Sequence, residues 1–144
     1  VYAEVMDRLA LKMKTAVNYL PEPKFSASTS NSLGLAFIGT TNSAINEVLD
    51  NLAKKGITPD TMRIRAFPFH RSVTEFFDTH ELVFVIEQNR DAQLKSLLKI
   101  ECNIHEEKMH SILSYDGVLI TAQHIEKSIL DSMIDMNASG EIPA

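Results

Sequence analysis

The sequence predicts an α/β protein of three layers, helix, sheet and helix, built on a mainly parallel, doubly wound sheet of about four to five strands. Two short runs, Leu35-Ala36-Phe37-Ile38 and Leu82-Val83-Phe84-Val85-Ile86, are apolar without alternation, so they read as strands buried on both faces, as in a parallel sheet. Helix-period segments follow each of them, with Ile45, Val48, Leu49 and Leu52 after the first and Leu94, Leu97 and Leu98 after the second. Such regular alternation of strand and helix is what β-α-β units produce.

Each element has its own reason. From Tyr2 to Leu20 the residues Val5, Leu9, Met13, Ala16 and Leu20 recur at helical spacing among Asp7, Arg8, Lys12 and Lys14, which predicts one amphipathic helix ended by Pro21 and Pro23. Ser26 to Ser32 has the composition of a linker, so residues 1–31 are expected to be helix plus linker, 32–137 the α/β domain and 138–144 a frayed tail. The apolar face of residues 1–20 is expected to pack against something in the intact protein. Gly56 suits the close of the helix carrying Ile45 to Leu52. Met62 to Phe67 alternates Met62, Ile64 and Ala66 with Arg63 and Arg65, the pattern of a sheet edge or a partly wet face, and Pro68 ends it. A short helix carrying Val73, Phe76 and Phe77 follows. Asn89 is placed to cap the helix after the central strand, Met109 to Leu113 reads as a weaker strand, Tyr115-Asp116-Gly117 as a turn, and Thr121 as the cap of a last helix through Ile125, Ile129, Leu130 and Met133.

Composition narrows the function classes. The 144 residues have the length of one domain, with 44% hydrophobic and 23% charged residues as a folded core requires. The net charge of -5 gives no electrostatic reason to bind nucleic acid. Cys102 is the only cysteine, so this chain alone builds no internal disulfide and no cysteine-held iron–sulfur cluster. No apolar run approaches the roughly 20 residues of a membrane helix. These features give the expectation of a cytoplasmic protein, and Val1 in place of an initiator methionine that of a processed chain or a fragment cut from something longer, which suits a domain better than a complete enzyme.

In a doubly wound sheet the strand C-termini and helix N-termini meet along one crest, where amides and helix dipoles can receive an anion or a partner. Three polar clusters are expected there: Gly39-Thr40-Thr41-Asn42-Ser43, Pro68-Phe69-His70-Arg71-Ser72 and Glu87-Gln88-Asn89-Arg90, the last running on to Gln93. Ser, Thr and Asn fill caps and turns in any such fold, and that is one reading of them. The other is an interface or anion-binding edge made of Gly39, Thr40, Thr41, His70, Arg71, Glu87, Asn89, Arg90 and Gln93. Gly34 and Gly39 bracket four residues as in a phosphate loop, but Leu35 to Ile38 is strand and Thr40 stands where the loop's lysine belongs. A G-x-G-x-x-G fingerprint and a G-x-S-x-G elbow are both absent. Histidines 70, 80, 105, 110 and 124 show no helical metal-ligand spacing, and His105 to His110 reads as solvated charge. No catalytic or metal-binding residue is therefore assigned.

Taken in order, the clusters resemble a known family. Arg8 to Met13 leading into Leu20-Pro21-Glu22-Pro23, Ala36-Phe37-Ile38-Gly39-Thr40-Thr41 and Met62 to Phe69 carry the resemblance, most specifically with Val85-Ile86-Glu87-Gln88-Asn89-Arg90-Asp91-Ala92-Gln93-Leu94, which is similar to V-x-E-x-N-x-x-G-Q-L. Tyr115-Asp116-Gly117 to Thr121-Ala122 looks like the closing D-G-x-x-x-T/S-A segment. On these residues the chain resembles the α subunit of 2-oxoacid:ferredoxin oxidoreductases of the 2-oxoglutarate or pyruvate type, in the transketolase C-terminal-like domain that follows the thiamine-pyrimidine-binding domain. The resemblance implies a whole enzyme that decarboxylates a 2-oxoacid on thiamine diphosphate and Mg, reduces ferredoxin through an iron–sulfur cluster and forms acyl-CoA from coenzyme A. It implies for this segment a non-catalytic, structural role with no cofactor of its own. Its implied partners are the other α-subunit domains and the thiamine-diphosphate-binding β subunit. Ala92 departs from the pattern's glycine; if that position has positive φ, alanine costs on the order of 1 kcal/mol there. A rival reading is a stand-alone α/β module that binds a nucleotide or other phosphate-bearing anion at the crest. A third, the end domain of another thiamine enzyme such as a transketolase, leaves the fold unchanged but lacks the Glu87 to Leu94 block.

Overall fold

A computed structural model of the chain describes residues 1–26 and 32–140. Its elements are α1 (Tyr2–Ala16), β1 (Lys24–Ser26), β2 (Leu33–Ile38), α2 (Asn42–Ala53), β3 (Asp60–Ile64), α3 (Arg71–Thr79), β4 (Leu82–Glu87), α4 (Gln93–Cys102), β5 (Met109–Leu113) and α5 (Ala122–Ser139). The sheet has five strands in the order β1-β3-β2-β4-β5, all parallel except β1, which runs antiparallel to β3. This is the expected three-layer, mainly parallel α/β fold.

The two apolar strands lie at the centre because neither face tolerates water. Leu35 and Phe37 of β2 and Phe84 and Ile86 of β4 point to one side, where Ile45, Val48 and Leu52 of α2 and Ile125 and Ile129 of α5 cover them. Ala36, Val83 and Val85 point to the other, against Val73, Phe76 and Phe77 of α3 and Leu94 and Leu98 of α4. Period-two strands thus meet period-3.6 helices on both faces. From β2 the chain passes outward to β3, returns past β2 to β4 and continues to β5, so the helices leaving β2 and β4 lie on opposite faces. A crevice therefore opens between the C-terminal ends of β2 and β4, the topological switch point.

Several expectations meet differences. The strand expected over Met62 to Phe67 spans Asp60–Ile64, because Asp60 and Thr61 pair with Gly34 and Leu35, and pairing ends where β2 ends at Ile38. It is not an edge: Lys24–Ser26, inside the stretch expected as linker, pairs with Thr61 to Arg63 and takes the edge position. Three residues are too few to show alternation, and Phe25 is anchored by a long-range contact with the Phe76 ring at 6.0 Å. The remaining linker residues, 27–31, and the tail residues 141–144 lie outside the described residues, while α5 runs two residues past Asn137 and closes at Gly140, φ 75°. Helix α1 forms as expected but gives way at Val17 to a single 3-10 turn before Pro21, and none of its residues is buried. Gly56, at φ 76°, closes α2 with its amide donating to Ala53 O and that of Ile57 to Leu52 O.

Candidate functional site

The switch-point crevice is a cleft of about 400 Å³ lined by Ile38, Gly39, Thr40, Glu87, Gln88, Asn89, Gln93, Leu94 and Leu97. Of the residues expected at a binding edge it brings together Gly39, Thr40, Glu87, Asn89 and Gln93. Thr41 is buried, with its hydroxyl 3.4 Å from the Gln88 amide, and Arg90 lies exposed beside the cleft, ion-paired with Asp91 at 2.8 Å. His70 and Arg71 do not line it. His70 caps α3, its Nδ1 accepting from Ser72 N at 3.3 Å, and Arg71 is exposed beside Glu75.

Glu87 ends the central strand with a carboxylate that is 1% exposed. It accepts hydrogen bonds from Asn89 Nδ2 at 2.6 Å, Leu94 N at 2.7 Å and Lys95 N at 3.1 Å. Two of these donors are orphan amides of the first turn of α4, so the carboxylate satisfies them and sits at the positive end of the helix dipole. Asn89 completes the cap as expected, its Oδ1 accepting from Asp91 N at 3.1 Å and Gln93 N at 3.2 Å. Residue Ala92 turns the chain into α4 at φ 50°, ψ 50°, the left-handed conformation that the glycine of the resembled pattern adopts at least strain.

Gln88, named in the third polar cluster but not among the binding-edge residues, has a structural part of its own. Its side-chain amide donates to Thr40 Oγ1 at 2.8 Å, and its Oε1 accepts from Ile120 N at 3.3 Å. One side chain thereby ties the turn after β2, the end of β4 and the loop after β5. Only the strand order places those three segments side by side, and no spacing along the chain encodes it. Ile38, Leu94 and Leu97, the apolar part of the lining, were likewise read as plain strand and helix residues; Ile38 is 42% exposed.

Elsewhere on the crest side, Phe67, Tyr115, Val118 and Leu119 are exposed large apolar residues in the connections that follow β3 and β5. On the opposite side, near the start of β3, buried His80 contacts acceptors with both ring nitrogens, Phe76 O at 2.6 Å and Asp60 Oδ2 at 3.1 Å, and stacks on Phe76. Among the described residues no group of three His, Cys, Asp or Glu side chains is placed to hold a metal ion, and no helix is long and apolar enough to cross a membrane.

No family model matches the chain, and no curated protein matches it in sequence. Solved structures do. A 2-oxoglutarate:ferredoxin oxidoreductase from Magnetococcus marinus, with 2-oxoglutarate, coenzyme A and succinyl-CoA bound, matches over 91% of this chain at 19% identity and a TM-score of 0.78. This chain spans 23% of that one's length. The α chain of a probable 2-oxoacid ferredoxin oxidoreductase from Thermoplasma acidophilum matches over 78% of this chain and 97% of its own, at 23% identity and a TM-score of 0.53. A split-gene transketolase, an inactive β4 tetramer, matches over 77% of this chain and 41% of its own, at 13% identity and a TM-score of 0.61. The fold is thus the one expected, transketolase C-terminal-domain-like, and shared with chains of 2-oxoacid:ferredoxin oxidoreductases.

Proposed function

We propose that this chain is the transketolase C-terminal-like domain of a 2-oxoacid:ferredoxin oxidoreductase α subunit, and that it docks and assembles without catalysing a step. One observation carries this reading: the α4 side of the crevice where such sheets receive ligands is spent on the protein's own hydrogen bonds. The amides of Leu94 and Lys95 that a phosphate would use already bind Glu87, and those of Asp91 and Gln93 bind Asn89. A phosphate would have to displace a buried carboxylate or lie against it, at a cost of several kcal/mol for like charges in a low-dielectric site. The two arginines of the expected edge form exposed ion pairs with Asp91 and Glu75, and neither lines the cleft. The anion-binding reading therefore has the weaker support.

What the chain offers outward is apolar. The stripe of Val5, Met6, Leu9 and Met13 on α1 is exposed, and a 15-residue helix alone is marginally stable in water, so it gains its stability by covering that stripe with another domain. On this reading thiamine diphosphate with Mg, the iron–sulfur cluster and coenzyme A are bound by other parts of the enzyme. The partners are the remaining α-subunit domains and the thiamine-diphosphate-binding β subunit, in the cytoplasm, and ferredoxin takes the electrons from the whole assembly.

The test is reconstitution. The full chain is purified with the thiamine-diphosphate-binding subunit from the same genome, and the mixture is followed by size exclusion and by 2-oxoacid-dependent dye reduction. The chain is expected to comigrate with that subunit, to turn over nothing alone, and to lose comigration when residues 1–20 are deleted. Turnover by the chain alone, or saturable calorimetric binding of coenzyme A to it, refutes the proposal.

A further inference from the structure

We infer that Asp116-Gly117, in the loop after β5, is a site of covalent self-modification, where the aspartate isomerises through a succinimide to isoaspartate in the folded protein. The reaction needs no enzyme and no cofactor, and the inference stands apart from the docking reading. Its first requirement is an unhindered nitrogen next to the carboxyl. Every other Asp and Asn of the chain is followed by a residue with a side chain, and Asp116 alone by glycine. Even a Cβ built on Gly117 would meet nothing within 4 Å, so no neighbour shields that nitrogen. The second requirement is that the nitrogen be free. The Gly117 amide donates to no acceptor among the described residues, and Tyr115 to Leu119 are all exposed. The third is approach. Asp116 Oδ1 accepts from Val118 N at 3.1 Å, which folds the carboxyl back along the Asp116–Gly117 peptide and keeps Cγ beside the Gly117 nitrogen.

The step balances without a further reactant. The Gly117 nitrogen gives up its proton and bonds to Cγ of the protonated carboxyl; the Cγ–OH bond breaks, the oxygen leaves as water, and a succinimide ring closes. Water then opens the ring at either carbonyl. Breaking the bond from nitrogen to Cγ restores aspartate. Breaking the bond from nitrogen to the main-chain carbonyl carbon leaves Gly117 joined through the side chain, as isoaspartate with a free α-carboxylate. No electrons are exchanged, and the water lost is regained. Isoaspartate carries Cβ of residue 116 into the main chain, one atom longer between two anchors of the loop, Ser114 N on Glu87 O at 3.1 Å and Ile120 N on Gln88 Oε1 at 3.3 Å. The longer bond, made to a side chain that can turn away, is the one that gives, so the modification loosens the brace that Gln88 makes across the switch-point cleft.

The test is ageing of the full chain beside a free peptide of residues 110–122, at neutral pH and physiological temperature, until the peptide is half converted. Both are then mapped by mass spectrometry with electron-transfer fragmentation and by methyl labelling with a protein isoaspartyl methyltransferase. Isoaspartate is expected at residue 116 in both, and at no other position of the folded chain. D116E, whose longer side chain would have to close a larger ring, should show none. D116N, which loses ammonia instead of water, should accumulate it about tenfold faster or more, as a barrier lower by about 1.4 kcal/mol gives. Conversion of the peptide while the folded chain stays unmodified overturns the site, and so does equal labelling of D116E. In the aged wild-type chain the Ile120 amide and the Gln88 carboxamide should shift in NMR spectra and the Ile120 amide should exchange faster with solvent. If isoaspartate forms and those signals do not move, the loosening of the brace is wrong.

Discussion

Replacing Ala92 by glycine should stabilise the protein. Ala92 stands at φ 50°, ψ 50°, just before α4, where its Cβ crowds the following carbonyl. For an L-residue other than Gly, Asn or Asp this conformation costs roughly 1–2 kcal/mol. Glycine removes that strain but restores freedom to the unfolded chain, which takes back about 0.4–1 kcal/mol. The net gain is about 1 kcal/mol, which for a domain of this size raises the melting temperature by about 4 °C. Urea unfolding of A92G should show the gain as a higher midpoint with an unchanged slope, since the surface exposed on unfolding is the same. Two companions calibrate it. Asn103 also sits at positive φ, 52°, but asparagine tolerates that region, so N103G should gain less. Gly39 stands at φ 66° with nothing within 4 Å of an added Cβ, so G39A should lose about 1 kcal/mol through backbone strain alone. An A92G variant no more stable than wild type, while G39A is destabilised, would refute the left-handed turn at residue 92.

Three further outcomes are expected. E87A strips the buried acceptor from the amides of Leu94 and Lys95 and should cost about 3 kcal/mol in urea unfolding; a loss below about 1 kcal/mol means that the cap carries little. A Cβ on Gly34 would come within 2.7 Å of Cε1 and 2.8 Å of Cζ of Phe76, whose ring is also stacked on His80, so G34A should cost about 1–3 kcal/mol by overpacking. Adding Phe76→Leu should recover part of that loss, and strict additivity of the two changes would contradict the contact. Burial pushes the Cys102 thiol pKa up, against a smaller lowering by its hydrogen bond with Thr74 and together with a raising contribution from Glu101. The thiol should therefore react with a disulfide reagent at pH 8 more slowly than free cysteine does, and T74V should slow it further; labelling at the free-cysteine rate contradicts this.

The central sheet was legible because it is written locally. Leu35 to Ile38 and Leu82 to Ile86 are so uniformly apolar that only a strand covered on both faces accommodates them, and the caps by Asn89 and Thr121 were readable because a cap acts within a few residues. What was missed acts at a distance. Lys24–Ser26 is a strand through its partners Thr61 to Arg63, not through any pattern of its own. His70 is the exception: it caps α3 only two residues away, but through a ring nitrogen, outside the usual Ser, Thr, Asp and Asn set. At the crest, the cluster Glu87-Gln88-Asn89 was visible as polar residues at a strand end, yet their division of labour was not. Glu87 turns inward to α4 while Gln88 turns sideways to Thr40 and Ile120, and alternation along a strand decides which residue does which only after the neighbouring strands are known.

That division of labour changes what the α4 side of the crevice offers to a ligand. The orphan amides at the start of α4 need an acceptor in any protein of this topology, and water or an incoming anion can supply it where the sequence does not. Here Glu87 supplies it from within, with its charge neutralised locally by three donors and the helix dipole. With those amides satisfied, the start of α4 offers an incoming anion no free donor from Leu94 or Lys95. The rest of the lining mixes hydrocarbon from Ile38, Leu94 and Leu97 with the polar residues Gly39, Thr40 and Gln93, and the crossing bonds of Gln88 brace it.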